Sequence, residues 1–357
     1  MKYSIDHKTV KPAYLQLYEQ IRKDITDKKI LFGEKLPSKR LASEELGISI
    51  ITVEHAYSLL YDEGYISSKE RSGYFVAYSE NAGFQKPEVN KTIPHRQSEA
   101  YDTDFPFSVY AKTMRKVISD YGAGILAKSD NTGCDELKSA IKAYLLRSRG
   151  IDVENDRIVI GSGAEQLYGT IIQVLGSDII YATEKPSYAK IEAVYRASGV
   201  KLELLPLGAD GVESAALNKS KADVLHITPY RSFPSGVTAS ASKRYEYLKW
   251  AGDRKFIIEE DFESEFSVLS KPEETVFSMC KNDNVIYLNT FSKTIAPGVR
   301  IGYMVLPKRL INDFNKRVGF YSCSVPTFEQ LVIADFISSG NFERHINRIR
   351  RKKRRGN

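Results

Sequence analysis

One short stretch of the chain brings together an amine, hydroxyl groups and a guanidinium. Lys293 closely follows two hydroxyl residues, Thr290 and Ser292, and Arg300 comes seven residues after the lysine. A lysine amine reacts with an aldehyde to give a Schiff base, whereas hydroxyl and guanidinium groups bind phosphate. The stretch therefore indicates a site for an aldehyde that carries a phosphate group, although a lysine after a strand is more often a solvent-exposed loop residue.

The segments around this stretch predict where the lysine would lie. From about residue 106, short apolar runs alternate with helical segments, which indicates an α/β fold with a largely parallel sheet covered on both faces. Ligands of such folds bind at the carboxyl ends of the strands, and the lysine follows one of them. The seven predicted strands are 158–160, 179–181, 202–205, 224–227, 256–258, 285–288 and 302–306, and two of the helices are predicted over 164–175 and 188–197.

Two further strand ends offer groups for the same ligand. Residues 161–163 form a glycine-rich turn before a helix, and free backbone amides at the start of a helix are suited to a phosphate. Such turns also occur simply to reverse the chain. After the next strand, Tyr188 offers a ring that could stack on a flat heteroaromatic group.

A third strand end carries three consecutive carboxylates, Glu259, Glu260 and Asp261. Burying a carboxylate costs several kcal/mol unless it meets a cation. A protonated ring nitrogen would be such a cation, and exposure to solvent or capping of a helix is the alternative.

Residues 11–78 have the pattern of three helices and a hairpin. Ser38 is suited to cap a helix over residues 39–46 that Gly47 closes, and Ser49 is suited to cap a third helix. The apolar face of the first helix is marked by residues at helical spacing, which are Tyr14, Tyr18, Ile21 and Ile25.

Two β-prone segments, 65–68 and 73–76, flank a turn at residues 71–73. With the short connection between the second and third helices, this predicts a winged helix-turn-helix whose third helix enters the major groove of DNA. A small helical bundle with a structural hairpin has the same pattern.

Residues 79–105 are polar and lack apolar periodicity, which predicts an interdomain linker between domains over residues 1–78 and 106–357. The net charge is +7, and residues 342–357 account for all of it with eight Lys or Arg and one Glu. The charge therefore belongs to a tail, which is either an added nonspecific grip on DNA or a solvent-exposed helix.

Composition limits the compartment and the class of protein. No run approaches the ~18 apolar residues of a membrane span, and the first residues lack the apolar core of a signal peptide. The three cysteines are scattered, which indicates neither a disulfide framework nor a metal cluster. We expect a cytoplasmic protein that has no membrane partner.

The N-terminal region resembles the DNA-binding domain of the GntR family of bacterial regulators. The matching segments are 14–18, 36–42, 46–49, 52–53, 56–57, 60, 63–66 and 72–76. Ile50 stands where that family usually has an arginine, and it cannot donate hydrogen bonds to a guanine edge. The DNA contacts that the resemblance and this departure imply are Ser38, Lys39, Arg40, Ser49, Thr52, Arg71, Ser72 and Gly73.

The rest of the chain resembles the large domain of fold-type I pyridoxal-phosphate aminotransferases, and the two parts together resemble the MocR-type subgroup of regulators. The resemblance implies that Lys293 forms the Schiff base with pyridoxal phosphate. It further implies that Thr290, Arg300 and the amides of Ala164 and Glu165 hold the phosphate, that Tyr188 stacks on the ring, and that residues 228–236 lie beside the ring hydroxyl.

Several positions depart from the aminotransferase pattern. Glu260 stands where an aspartate binds the ring nitrogen, with Asp261 as the alternative partner, and Phe262 stands where a tyrosine is frequent. Arg231 and Ser232 replace a His-Gln pair. The small domain that carries a carboxylate-binding arginine is expected to be largely missing.

The sequence therefore predicts a homodimeric, DNA-binding transcription regulator rather than an enzyme. Pyridoxal phosphate would be its effector or sensing cofactor, and a small-molecule amine, amino acid or vitamer would be a further effector. The alternatives are an aminotransferase with a fused DNA-binding head and a degenerate regulator without a cofactor.

Overall fold

The structure is a computed structural model that describes residues 3–6, 9–69, 72–78, 105–267 and 273–355. The chain divides into two compact units, Met1–Gln97 and Ser98–Asn357. The predicted linker lies outside the described residues except for residue 105. None of the helices in the described ranges is long and apolar enough to cross a membrane.

The first unit contains the three predicted helices and the predicted hairpin. Its elements in chain order are α1 (Ala13–Thr26), α2 (Lys39–Leu46), α3 (Ile50–Asp62), β1 (Ile66–Lys69) and β2 (Gly73–Val76). The predicted caps are present, because the hydroxyl of Ser38 accepts a hydrogen bond from Leu41 N at 3.2 Å and that of Ser49 from Thr52 N at 3.1 Å. Gly47 ends α2 in the left-handed region at a φ of 64°.

The core of the first unit forms where the three helices meet the hairpin. Leu17 and Ile21 of α1 pack with Val53 and Leu60 of α3, all of them buried. Tyr14 was expected on this inner face and instead lies half-buried at its edge, where its ring stacks on His55 with the centroids 3.9 Å apart. The core thus fixes α3 against α1 and leaves the N-terminal end of α3 exposed.

The second unit is built on one eight-stranded sheet. Its strands are β3 (Ile158–Gly161), β4 (Ile180–Lys185), β5 (Lys201–Gly208), β6 (Gly211–Val212), β7 (Val224–Ile227), β8 (Phe256–Glu260), β9 (Val285–Thr290) and β10 (Gly302–Val305). Their order is β3-β10-β9-β8-β7-β4-β5-β6. All pairs from β9 to β5 are parallel, whereas β10 runs antiparallel to both β9 and β3, and β6 runs antiparallel to β5. The seven predicted strands are confirmed, and β6 adds an eighth.

Helices cover the sheet on both faces. They are α4 (Phe107–Tyr121), α5 (Asp135–Arg149), α6 (Ala164–Leu175), α7 (Ala189–Ala197), α8 (Ser214–Lys219), α9 (Ala241–Ala251), α10 (Val276–Met279), α11 (Phe291–Thr294), α12 (Ile311–Arg317), α13 (Thr327–Ser338) and α14 (Asn341–Arg354). Short 3₁₀ turns occur at Gly122–Leu126, Asn155–Arg157, Ser264–Phe266 and Lys308–Leu310.

The alternation of side chains along the strands assigns the helices to faces. Ile160 and Tyr303 pack in one cluster with α5 and α13, whereas the adjacent residues Val159 and Met304 pack in another with α6 and α12. Strands such as β3 and β10 are buried on both faces and read as continuous apolar runs, which is why they could be found from the sequence.

Candidate cofactor pocket and DNA-binding face

A pocket of about 380 Å³ lies at the edge of the sheet where β3, β8 and β9 end. Most of the predicted cofactor residues meet there, although the chain brings them from distant segments. The pocket is lined by Ala164, Glu165, Tyr188, Lys190, Phe233, Glu260, Phe262, Thr290, Ser292, Lys293, Pro297 and Arg300.

Lys293 and Arg300 lie on one excursion of the chain, residues 291–301, between two neighbouring strands. Thr290 of β9 pairs with Gly302 of β10, and Phe291 N donates to the carbonyl of Ile301 at 2.9 Å, so the ends of the excursion are held together. The side chain of Lys293 is 54% exposed, and its amine lies 3.5 Å from Glu263 Oε1. The lysine thus lies in α11, directly after strand β9, and its side chain is accessible to a ligand.

Arg300 and the first turn of α6 form a cradle at one wall of the pocket. Gly163 precedes this helix with a φ of 98° and a ψ of 175°, and no side chain caps the helix. A Cβ atom at this glycine would lie 2.7 Å from Arg300 Nη2, so the guanidinium packs directly on the glycine. Backbone amides at the start of a helix together with a guanidinium are suited to a phosphate.

The side chain of Glu165 lies in this cradle, which the sequence did not predict. Arg300 Nη2 donates to Glu165 Oε2 at 2.7 Å, and Lys190 Nζ donates to Glu165 Oε1 at 2.7 Å. Burial acts to raise the pKa of this carboxyl, but the hydrogen bonds from Lys190, from the backbone of Glu165 and from Arg300 outweigh it and lower the pKa to about 2. The carboxyl of Glu165 is therefore ionised at neutral pH, between the cations of Arg300 and Lys190.

Glu260 lines the pocket and belongs to a buried polar network. Tyr168 donates its hydroxyl hydrogen to Glu260 Oε1 at 2.7 Å, and His226 Nε2 lies 3.4 Å from Glu260 Oε2. The ring of His226 is in turn bonded through Nδ1 to the hydroxyl of Tyr195 at 2.8 Å. The network fixes the glutamate at the pocket wall despite its extra methylene.

The other two carboxylates of this strand end point away from the pocket. Asp261 lies 3.0 Å from Arg149 Nη2 and accepts a hydrogen bond from Tyr287 at 2.8 Å. Glu259 accepts from the amides of Val276 and Phe277 at 2.8 and 2.7 Å. Neighbouring strand residues face opposite sides of the sheet, so only Glu260 reaches the pocket and Asp261 does not stand in for it.

The loop at residues 228–236 contributes one side chain to the pocket, that of Phe233, whose ring lies 6.3 Å from the ring of Tyr188. Ser232 donates to the buried carboxylate of Glu184, which burial shifts to a pKa of about 7. Arg231 lies 3.6 Å from Glu263, so this glutamate faces both Arg231 and Lys293.

Among the lining residues, sequence reasoning did not single out Lys190 or Pro297. Lys190 was the most accessible to prediction, because it lies two residues after Tyr188 in the first turn of α7. A cation at that position faces the same strand edge as the glycine-rich turn.

The predicted DNA contacts of the first unit cluster at the starts of α2 and α3. Ser38 and Ser49 cap these helices, Arg40 is exposed, and Thr52 is bonded to Ser49 with their hydroxyl oxygens 2.8 Å apart. Lys39 pairs with Glu54 of α3 at 2.6 Å, so its amine already has an acidic partner.

The exposed start of α3 is apolar, since Ile50 is 44% and Ile51 77% exposed. At the wing, Ser72 is exposed and Gly73 has a φ of 103°, whereas Arg71 lies outside the described residues. A Cβ atom at Gly73 would lie 3.3 Å from Lys35 Cε, which brings a lysine that was not predicted beside the wing.

Comparison with known proteins identifies both units. Residues 13–76 match the family of bacterial regulatory proteins named gntR, and residues 101–355 match aminotransferase class I and II. The chain is 32% identical over 360 residues to the HTH-type transcriptional regulator YdeL of Bacillus subtilis, covering 96% of this chain and 78% of that protein.

Two further relatives agree with this. The chain is 28% identical over 369 residues to the probable rhizopine catabolism regulatory protein MocR of Rhizobium meliloti, covering 95% of this chain and 74% of the relative. The second unit is similar to Pyrococcus horikoshii kynurenine aminotransferase in a complex with PMP, with a TM-score of 0.63 and 26% identity over 69% of this chain and 64% of the other. The chain therefore belongs to the MocR-type transcriptional regulators, in which a GntR-family helix-turn-helix domain is joined to an aminotransferase class I and II domain.

Proposed function

We propose that this regulator binds pyridoxal phosphate in the pocket around Lys293 as an effector or sensing cofactor. The observation that carries the proposal is that Ala164, Glu260, Lys293 and Arg300 line one cavity. The aminotransferase fold of the unit supports it, as does the similar solved enzyme that contains PMP.

The cavity fits this cofactor at three separate points. The uncapped start of α6 and the guanidinium of Arg300, packed on Gly163, suit a phosphate. The exposed amine of Lys293 suits an aldehyde, and the buried carboxylate of Glu260 suits a protonated ring nitrogen. An aldehyde that reacts reversibly with a primary amine is the chemistry that the cofactor supplies when it is bound.

The residues of the chain would divide the work of binding. Arg300, Thr290 and the amides of Ala164 and Glu165 would hold the phosphate. Tyr188 would stack on the ring, while Tyr168 and His226 keep Glu260 at the position of the ring nitrogen. Phe262 lines the pocket without a hydrogen-bonding group, so the ring hydroxyl would lack one partner there.

We propose regulation without steady turnover, although a half-reaction with an amino acid remains within the chemistry of the site. Transfer chemistry requires exclusion of water and a held substrate, and more than half of the Lys293 side chain is open to solvent. Incubation with amino acids and a keto-acid acceptor tests this directly. Steady production of a new amino acid would make an aminotransferase the better description.

We propose that α3 reads the major groove and that two copies of the chain bind paired half-sites as a homodimer. Support comes from the match to gntR-family regulators and from the exposed start of α3. Cofactor or effector binding in the second unit would then change DNA affinity through a coupling between distinct sites.

The cofactor proposal is tested by the visible spectrum of the purified protein. We expect added pyridoxal phosphate to give the long-wavelength absorbance of a lysine-bound cofactor, and Lys293→Ala to abolish it. Lys185→Ala is the matched control, because Lys185 is equally exposed at 54% and pairs with Glu192 outside the pocket. A protein that stays colourless at saturating cofactor while binding DNA normally would favour a regulator without a cofactor.

A further inference from the structure

We propose that Glu165 is an internal competitor for the phosphate of the ligand, and that it makes binding in the pocket weak enough to follow ligand concentration. The inference rests on the proposed binding of pyridoxal phosphate. It concerns what sets the affinity of that site rather than whether the site exists.

The first argument is the contact itself. Arg300 is the guanidinium that packs on Gly163 at the start of α6, and it already donates to Glu165 Oε2 at 2.7 Å. A phosphate that enters the cradle therefore meets an arginine whose hydrogen-bonding capacity is partly used by a carboxylate. The contact spans 135 residues of sequence, so it comes from the fold and not from local chain geometry.

The second argument is the alternative partner that Glu165 keeps on its other side. Lys190 Nζ donates to Glu165 Oε1 at 2.7 Å and also lines the pocket. The carboxylate can give up Arg300 and remain paired with Lys190, so ligand entry requires only an exchange of partners. The glutamate therefore lowers affinity without blocking the site.

The third argument is charge. A phosphate monoester carries nearly two negative charges at neutral pH, and Glu165 adds another within the same cradle. The negative charges of the phosphate and of Glu165 repel each other. The Arg300 side chain is 50% and the Glu165 side chain 24% exposed, so solvent screens part of this repulsion. An effect of about two- to fivefold on affinity is expected from a pair of this exposure.

A purely structural role predicts a different result. An acidic residue in the first turn of a helix stabilises that helix through its dipole. If this were the whole role of Glu165, its removal would destabilise α6 and weaken the binding of every ligand. Competition instead predicts tighter binding, and only for ligands that carry a phosphate.

The test compares equilibrium binding of pyridoxal phosphate to the wild-type protein and to Glu165→Gln, measured by absorbance titration. We expect about two- to fivefold tighter binding by the variant. Pyridoxal, which lacks the phosphate, should bind equally to both proteins or to neither. Glu165→Ala is a second variant with the same expected direction, should the glutamine variant fold poorly.

Glu192→Gln is the matched control. Glu192 also bridges two cations, Lys185 and Arg196, but does not line the pocket, so this variant should keep wild-type affinity. Equal or weaker binding of pyridoxal phosphate by the Glu165 variants would overturn the inference alone. So would an equal gain for pyridoxal. If neither protein binds pyridoxal phosphate, the proposed function fails with it.

Discussion

Gly163 is the residue on which the anion cradle depends most. Its φ of 98° and ψ of 175° lie in a region that is essentially restricted to glycine, and Arg300 occupies the space of a Cβ atom. We expect Gly163→Ala to lower the free energy of unfolding by about 1–3 kcal/mol and to weaken phosphate binding. Urea unfolding and cofactor titration measure the two effects.

The same helix supplies the control. Gly169 lies inside α6, and a Cβ atom there would have nothing within 4 Å. Gly169→Ala should therefore leave stability unchanged or raise it by about 0.5–1 kcal/mol. Equal stabilities for the two variants would mean that Arg300 does not pack on Gly163 as described.

Ile50 lies at the exposed start of α3, the helix that we propose reads the major groove. Its exposed apolar side chain can contact a thymine methyl group, whereas an arginine would bind the O6 and N7 acceptors of guanine. We expect Ile50→Arg to shift one position of the selected half-site towards guanine, with a discrimination of about 5- to 100-fold. Selection from random duplex DNA, followed by sequencing, measures the preference.

Ser58→Arg adds the same charge near the other end of α3, where the residue is exposed. It should strengthen binding to all sequences and leave the base preference unchanged. An unchanged preference in Ile50→Arg would instead mean that the start of α3 does not face the bases.

At the scale of elements, the sequence was most informative where a pattern is continuous. Strands β3 and β10 are buried along their whole length and contain only apolar or aromatic residues and glycine, because both faces of the sheet are covered there. Strand β6 was not predicted, because its two residues, Gly211 and Val212, are too few to show the alternation of apolar and polar side chains that marks a strand. The direction of β10 could not be inferred either, since an apolar run reads the same in a parallel or an antiparallel pair.

In the candidate site too, features on one short segment could be predicted, whereas contacts between distant segments could not. The chemistry of Lys293 and Arg300 pointed to the pocket because both lie on one short segment. The pairing of Glu165 with Arg300 and of Asp261 with Arg149 joins residues that are far apart in the chain, so neither contact has a local signature. Asp261 in particular was an alternative partner only because the sequence did not show which of three consecutive acids faced the pocket.

At the scale of the molecule, buried carboxyls make stability depend on pH. Burial raises the pKa of Glu265 to about 7, with the charge of Asp261 adding to the effect and Arg149 opposing it. Between about pH 4.5 and 7 the folded chain holds a proton that the unfolded chain has lost. Each such group therefore lowers stability by about 1.4 kcal/mol per pH unit as the pH rises through this window.

We expect the free energy of unfolding of Glu265→Gln to fall less steeply with rising pH than that of the wild-type protein. Relative to the wild type, the variant should therefore be more stable at pH 8 than it is at pH 5. The amide oxygen can still accept from Asn289, which now donates to Glu265 Oε1 at 2.7 Å. Urea unfolding across the pH range measures the slope. Glu192→Gln is the control, and its slope should not change, because Lys185 and Arg196 hold the pKa of Glu192 below its usual value. An unaltered slope in Glu265→Gln would mean that Glu265 does not cause the decline in stability over this pH range.

The excursion at residues 291–301 connects the proposed ligand-binding residues to another helix. A ligand bound by both Lys293 and Arg300 would contact this segment at two points. Residues 293–300 and the ligand would then form a closed ring, in a segment whose ends are already hydrogen-bonded to each other. His345 of α14 donates to the carbonyl of Thr294 within this ring at 2.9 Å. This hydrogen bond joins the segment between Lys293 and Arg300 to the strongly basic helix α14, so a ligand bound at both residues would lie one contact away from that helix.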